Sequence, residues 1–118
     1  MQLFRFVNLA RGSVIAMRVR LAGNSRERRR GLLQTTTLHQ DAGLWIIPCE
    51  AIHTFGMRQA IDAIFLDKES RVRALRANLP PRRVALCLRA HSVLELPPGT
   101  IARSATAVGD QLELSQFQ

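Results

Sequence analysis

Hydrophobic and polar residues alternate along much of the chain with a period of two, which is typical of β-strands that have one buried face. Two such segments, residues 2–8 and 13–21, lie on either side of a turn at 10–12 and are predicted to pair as a hairpin. In the second segment the apolar residues are predicted to share one face, and they are Ile15, Met17, Val19 and Leu21. The opening of the chain therefore predicts the start of an antiparallel sheet.

Further predicted strands follow, each bounded by proline, glycine or polar residues that favour turns. They are residues 44–47, 61–66, 71–77, 84–88, 92–96 and 111–114. The polar residues 67–70 separate two of these strands and predict a second hairpin. Residues 49–57 match neither a helical nor a strand pattern and stay unassigned.

In one stretch of the chain, hydrophobic and polar residues no longer alternate with a period of two. Asn24 is a favourable N-cap residue and Glu27 follows three positions later, as in a capping box, so a short helix is predicted near residues 25–33. The whole pattern predicts a single domain over residues 1–118 with a mainly β (α+β) fold. We expect a compact antiparallel barrel or sandwich of short strands that carries this one helix.

The charge of the chain is strongly positive. Seventeen Lys and Arg residues oppose nine Asp and Glu residues, giving a formal net charge of +8, and Lys68 is the one lysine. A positive field attracts nucleic acids, acidic proteins and small anions without choosing among them. Because the chain has no tyrosine and one tryptophan, it offers few platforms for base stacking. We therefore predict that nucleic-acid binding is weak, independent of sequence and lost near physiological salt.

The sequence favours a cytoplasmic protein. No apolar run has the length of a membrane span, so no membrane partner is expected. Arg5 interrupts the first apolar run, which we interpret as a strand and not as a signal peptide. Cys49 and Cys87 are then expected to be free thiols in a reducing compartment. The sequence pattern predicts no particular oligomeric state.

Six short motifs, taken in order, resemble a known family. They are residues 27–33 (ERRRGLL), 43–46 (GLWI), 52–57 (IHTFGM), 61–67 (IDAIFLD), 93–99 (VLELPPG) and 109–110 (GD). Together they resemble the bacterial and archaeal family called domain of unknown function 192. The resemblance covers nearly the whole chain, and it implies a compact, mostly β fold with one helix and no established activity. The chain departs from the family pattern at His53-Thr54, where many members have Trp-Met, and at Ala60, where proline is usual.

Cys49, His53 and Met57 recur at intervals of four. If this segment were helical, the three side chains would share one face, and thiolate, imidazole and thioether suit a soft ion such as Cu(I). The spacing matches no common zinc signature, and cysteine and methionine also serve as core residues. We therefore expect core packing at this segment, and no bound metal or cofactor.

The same residues allow a catalytic alternative. Cys49 or Cys87 could act as a nucleophile with His53 as its base, oriented by Asp62 or Glu95. No nucleophile-elbow or papain-like signature surrounds either cysteine. A Cys/His-dependent or soft-metal enzyme is therefore an alternative hypothesis, and we lean towards a protein that is not an enzyme.

Two acidic residues lie inside apolar strands. Asp62 is predicted to share a strand face with Ile64, and Glu95 lies between Leu94 and Leu96. A carboxylate in such a place needs a partner, because an isolated buried charge is costly. For Asp62 we predict an ion pair with an arginine, and the candidates are Arg28, Arg30 and Arg58.

The leading functional hypothesis follows from these polar residues. His53, Arg58, Asp62 and Glu95 are predicted to line a ligand-binding pocket at the mouth of the barrel. The protein would then be a non-enzymatic binding module for a small anionic ligand or an acidic protein partner. The alternatives are the enzyme described above, a nucleic-acid-binding accessory protein, and a structural protein without a ligand pocket.

Overall fold

The computed structural model describes residues 2–23 and 39–117. Along these residues the elements are β1 (Leu3–Asn8), β2 (Ser13–Ala22), β3 (Ala42–Ile46), β4 (Ala51–His53), β5 (Ile61–Leu66), β6 (Val72–Leu79), β7 (Val84–Leu86), β8 (Ser92–Leu96), α1 (Thr100–Ser104) and β9 (Leu112–Gln116). The helix predicted near residues 25–33 lies outside the described residues. The short helix α1 was not predicted from the sequence.

Seven strands form one curled sheet in the order β6-β5-β8-β3-β2-β1-β9. Neighbouring strands are antiparallel except for β2 and β3, which run parallel. The two end strands approach each other, because Arg71 before β6 pairs with Gln111 before β9. The sheet is thus a half-barrel, which confirms the prediction of a mainly β fold. The remaining strands, β4 and β7, pair as a separate two-stranded sheet, which we call the ribbon.

The inside of the curl holds the first hydrophobic cluster. Its members are Phe4, Phe6, Ile15, Ala16, Val19, Trp45, Ile64, Leu66, Val72, Leu94, Leu96, Ile101 and Leu112. The Trp45 ring meets the rings of Phe4 and Phe6 edge-on, each at a centroid distance of 5.2 Å, and its indole N–H donates to Ser92 Oγ at 2.9 Å. This polar bond lets the one tryptophan of the chain lie in the core without an unsatisfied donor.

The opposite face of the sheet holds the second hydrophobic cluster, between the sheet and the ribbon. Its buried members are Ala22, Leu44, Ile46, Ile52, Ile61, Ala63, Phe65, Ala85, Ala90 and Val93. Because both faces are covered, every residue of β5 and of β8 is buried. The sequences of these two strands are therefore mostly apolar on both faces, apart from Asp62, Ser92 and Glu95.

The β1–β2 hairpin departs from regular alternation. Phe4 pairs with Val19 but Phe6 pairs with Ala16, so two residues of β2 stand opposite one residue of β1. This β-bulge places Met17 on the exposed side next to Arg18, and Met17 is 39% exposed. The prediction that Met17 shares the buried face of Ile15 is therefore wrong, because a period of two cannot anticipate an inserted residue.

A buried polar network joins the β1–β2 turn to the segment before β9. Asp110 Oδ2 accepts hydrogen bonds from Arg11 Nε at 3.0 Å, from Asn8 Nδ2 at 3.0 Å and from the Ala107 backbone N–H at 2.9 Å. The bonds from Arg11 and Asn8 hold the pKa of the Asp110 carboxyl at about 2, below its ordinary 3.8. This carboxylate therefore links the β1–β2 turn to the segment before β9.

Replacing Asp110 with Asn is expected to lower the free energy of unfolding by about 1–3 kcal/mol at pH 7, because the Arg11 and Asn8 donors lose a charged acceptor. The folded pKa is depressed, so this stabilisation is present above pH 3.8 and is lost as the pH falls towards about 2. Denaturant unfolding of parent and variant across this range checks it. Glu113→Gln, an exposed carboxylate on β9, is the control, and an equal effect of both substitutions would contradict the assignment.

Candidate functional site

The two carboxylates of the predicted pocket lie on opposite faces of the sheet. In the β5–β8 register, Asp62 pairs with Leu96 and Glu95 pairs with Ala63. Adjacent residues of a strand point to opposite faces, so Asp62 belongs to the face of the first cluster and Glu95 to the face of the second. Asp62 and Glu95 therefore cannot line one pocket together.

Asp62 is fully buried and its carboxylate is bound by backbone amides. Oδ1 accepts the N–H of Asn78 in β6 at 2.9 Å, and Oδ2 accepts the N–H of Ile101 in α1 at 2.8 Å. Among the described residues no arginine forms an ion pair with Asp62, and Arg58 is exposed. The two other predicted partners, Arg28 and Arg30, lie outside the described residues. Asp62 thus attaches the edge strand and the helix to the centre of the sheet.

Glu95 is a buried carboxyl in an apolar place. The residue is 2% exposed, and its register neighbours are Leu44 on one side and Ala63 on the other. Within the described part of the chain, Oε1 is buried and has no hydrogen-bond partner. Burial raises the pKa of Glu95 to about 7, so this group exchanges a proton near neutral pH.

The ribbon presents one buried and one exposed side. Ile52 of β4 pairs with Ala85 of β7, and both are buried in the second cluster. The flanking pairs, Ala51 with Leu86 and His53 with Val84, point the other way and are exposed. We define the ribbon face as these outward residues together with the exposed apolar residue two positions beyond the end of each strand: Ala51, His53, Phe55, Val84, Leu86 and Leu88.

The ribbon face is apolar although it faces solvent. Phe55, Val84, Leu86 and Leu88 are 52%, 63%, 50% and 69% exposed. They account for four of the nine exposed large hydrophobic side chains among the described residues, gathered on two three-residue strands and their ends. The His53 ring lies 5.9 Å from the Phe55 ring. Contiguous exposed apolar surface of this kind marks an interaction site more often than single scattered residues do.

Arginines stand at both ends of the ribbon face. Arg82 and Arg83 precede β7 and Arg89 follows it, and all three side chains are exposed. At the Arg89 end, Glu50 Oε2 accepts the Arg89 backbone N–H at 2.6 Å. The ribbon face is therefore an apolar strip whose rim is mainly positive.

The segment of Cys49, His53 and Met57 is not helical, because residues 51–53 form β4. Cys49 and Met57 are partly buried against the second cluster, while His53 is exposed on the ribbon face. Cys87 is a free thiol, and Cys49 Sγ donates to the Ala51 carbonyl at 3.1 Å. Within residues 2–23 and 39–117, no three His, Cys, Asp or Glu side chains lie close enough together to hold a metal ion. The same residues contain no helix long and apolar enough to cross a membrane.

Comparison with known proteins identifies the family. The sequence profile of DUF192, a family described as Uncharacterized ACR, matches residues 7–114. The chain belongs to this family. A UPF0127 protein of the archaeon Thermococcus sibiricus is 33% identical over 112 residues, which cover 91% of this chain and 72% of that protein.

Solved structures agree with the fold. A Sinorhizobium meliloti protein proposed to be a transcription regulator superposes with a TM-score of 0.82 at 23% identity, covering 95% of this chain and 92% of its own. A Novosphingobium aromaticivorans protein of unknown function superposes with a TM-score of 0.81 at 24% identity, covering 94% and 83%. At these identities the likeness establishes the fold and no activity.

Most of the ribbon face was not predicted from the sequence as an exposed surface. Residues 84–88 were predicted as a strand, and the alternation of Val84, Leu86 and Leu88 with Ala85 and Cys87 is visible in the sequence. Both sets are apolar, however, so the period shows two faces without showing which one is buried. The pairing of β7 with β4 decides this, because it turns Ala85 inward with Ile52.

Replacing Asp62 with Ala is expected to lower the free energy of unfolding by about 2–4 kcal/mol, because two backbone donors lose their acceptor in or near the core. Thermal or denaturant unfolding measures the change. Asp67→Ala is the matched control: Asp67 Oδ1 also accepts two backbone N–H groups, but in an exposed turn, so a smaller loss is expected. If Asp62→Ala unfolds like the parent, the anchoring role is wrong.

Replacing Glu95 with Gln is expected to remove a pH dependence of stability. The folded pKa of Glu95 is raised from 4.5 to about 7, so its favourable contribution is full below pH 4.5 and falls as the pH rises through 7. The pKa difference corresponds to about 3 kcal/mol at most. Unfolding free energies at several pH values between 4 and 8 measure it, with Glu113→Gln as an exposed control. Identical slopes for parent and Glu95→Gln would contradict the assignment.

Proposed function

We propose that this DUF192 protein is a binding module that docks an acidic protein segment on its ribbon face. The observation that carries the proposal is the exposed apolar strip of Phe55, Val84, Leu86 and Leu88 between arginines at its two ends. An apolar centre with a charged rim is the usual anatomy of a protein interface. His53, one of the ligand residues expected from the sequence, lies inside this surface.

Charge decides which partner the ribbon face fits. A second copy of this chain would bring Arg82, Arg83 and Arg89 against like charges, which is unfavourable. A partner with carboxylates around an apolar stretch would contact the strip through its apolar residues and the arginines of the rim through its carboxylates. Arginine suits such a partner, because its planar guanidinium binds a carboxylate through two parallel hydrogen bonds.

The position of the other expected ligand residues disfavours a small anionic ligand. Asp62 is occupied by backbone amides and faces the first cluster, and Glu95 is a buried carboxyl that would repel an anion once ionised. His53 and Arg58 are exposed and are left without these two partners. An open, apolar surface is better matched to a macromolecular segment than to a small anion, which needs enclosure to lose its water.

The test uses a synthetic peptide in which Glu and Leu alternate, titrated into the protein by calorimetry. Val84→Ser with Leu88→Ser is expected to weaken binding at least about tenfold, or roughly 1.4 kcal/mol. The matched control is Val108→Ser with Leu9→Ser, because these residues are 62% and 53% exposed elsewhere on the surface. Exposed substitutions of this kind should leave the fold intact.

Two further peptides separate the apolar from the charge contribution. Replacing every Leu of the peptide with Ser should abolish binding if the apolar strip is needed, and replacing every Glu with Lys should abolish it if the arginine rim is needed. Equal binding of all three peptides, or equal losses from the ribbon and control variants, would refute the proposal. Stabilisation of the protein by phosphate or citrate, lost on His53→Ala or Arg58→Gln, would favour a small anionic ligand instead.

A further inference from the structure

Three arginines gather on a second surface, the outer side of the β1–β2 hairpin. Phe4, Phe6 and Val19 point into the first cluster, so their strand neighbours Arg5, Arg18 and Arg20 point outward. The β-bulge of β2 lies opposite Arg5 and contains Arg18, and Arg20 follows Arg18 by two residues on the same face. All three residues are exposed.

These guanidinium groups are not neutralised by the described carboxylates. The one ion pair among the described residues joins Arg11 to Asp110. Asp41 is next to Ala42, the register partner of Arg18, and Glu113 of β9 pairs with Val7, two residues from Arg5. Neither of these carboxylates forms an ion pair with the three arginines. Like charges facing each other across a strand pair destabilise a sheet, so an anion that binds here would relieve this repulsion.

We infer that Arg5, Arg18 and Arg20 form a contact surface for the phosphate backbone of a nucleic acid, bound without regard to base sequence. The surface has three donor groups on two adjacent strands, and the exposed large hydrophobic residues of these two strands, Val14 and Met17, are 41% and 39% exposed, less than those of the ribbon face. The aromatic residues of β1, Phe4 and Phe6, are buried, and Phe117, whose backbone N–H donates to the Leu3 carbonyl, is the exposed ring beside this surface among the described residues. A single ring is a small platform for base stacking. Contacts of this type position a strand but carry no sequence information.

Salt dependence gives the sharpest test. A fluorescent mixed-sequence DNA duplex is titrated by anisotropy with the full-length protein at salt concentrations between about 50 and 200 mM. Each phosphate neutralised adds about 0.9 to the slope of log K against log salt. Changing Arg5, Arg18 and Arg20 together to Gln is therefore expected to make the slope shallower by roughly 2–3 and to lower affinity most at low salt.

The matched control removes the same three charges from the ribbon: Arg82, Arg83 and Arg89 are changed together to Gln. This ribbon variant is expected to leave the salt slope of DNA binding nearly unchanged and to weaken binding of the Glu/Leu peptide. The variant of Arg5, Arg18 and Arg20 is expected to make the DNA slope shallower and to leave peptide binding nearly unchanged. Equal changes of slope in the two triple variants would mean that only net charge matters and would overturn the inference. Absence of duplex binding at about 50 mM salt would overturn it as well, whatever the peptide result.

Discussion

Alternation across two doubly buried strands is the constraint on which this structure depends. β5 and β8 are neighbouring interior strands of the sheet with a hydrophobic cluster on each face. Any polar side chain on these strands must therefore find a partner within the protein or remain unsatisfied. Asp62 finds partners within the protein, because it accepts hydrogen bonds from the backbone amides of Asn78 and Ile101. Glu95, on the neighbouring strand and the opposite face, has a buried oxygen without a partner among the described residues.

The same alternation separates the buried carboxylates, which stabilise the fold, from the exposed side chains that are available for binding. The faces that contain Asp62 and Glu95 are closed by packing, so their carboxylates act first on stability. The outward sides of the ribbon and of the β1–β2 hairpin are not constrained by a core. On these two surfaces the chain exposes apolar residues and arginines that form no ion pair within the described part of the chain, which a purely structural exterior does not need. The proposed binding function therefore belongs to these surfaces and not to a central pocket.

Much of the fold could be predicted from hydrophobic periodicity. The predicted strands 61–66 and 92–96 match β5 and β8 to the residue. Both are mostly apolar segments that contain one carboxylate each, and Asp67 and Pro97 follow them directly. β4 was missed, because three residues are too short to establish a period. Helix α1 was missed as well, because five residues after Gly99 lack an apolar stripe of their own. It is held in place by the Ile101 N–H, which donates to Asp62 Oδ2, and by the Arg103 guanidinium, which donates to the carbonyls of β2.

The candidate site was less predictable than the fold. The burial of Asp62 and Glu95 followed from their apolar neighbours, but their placement on opposite faces depends on the β5–β8 register, which no single segment encodes. Among the described residues Asp62 is bound by backbone amides and by no arginine, because residues far apart in sequence bring their N–H groups to it. The ribbon face depends likewise on the pairing of β4 with β7, which is a tertiary contact.

The central claim is that the ribbon face is where this DUF192 protein binds. Amide chemical-shift mapping of the protein with the Glu/Leu peptide tests it most directly, because it locates binding without any substitution. The account predicts that the largest shifts fall on residues 51–55 and 82–89, with small shifts along β1, β2 and β9. Shifts concentrated on those other strands, or spread evenly over every exposed arginine, would contradict it.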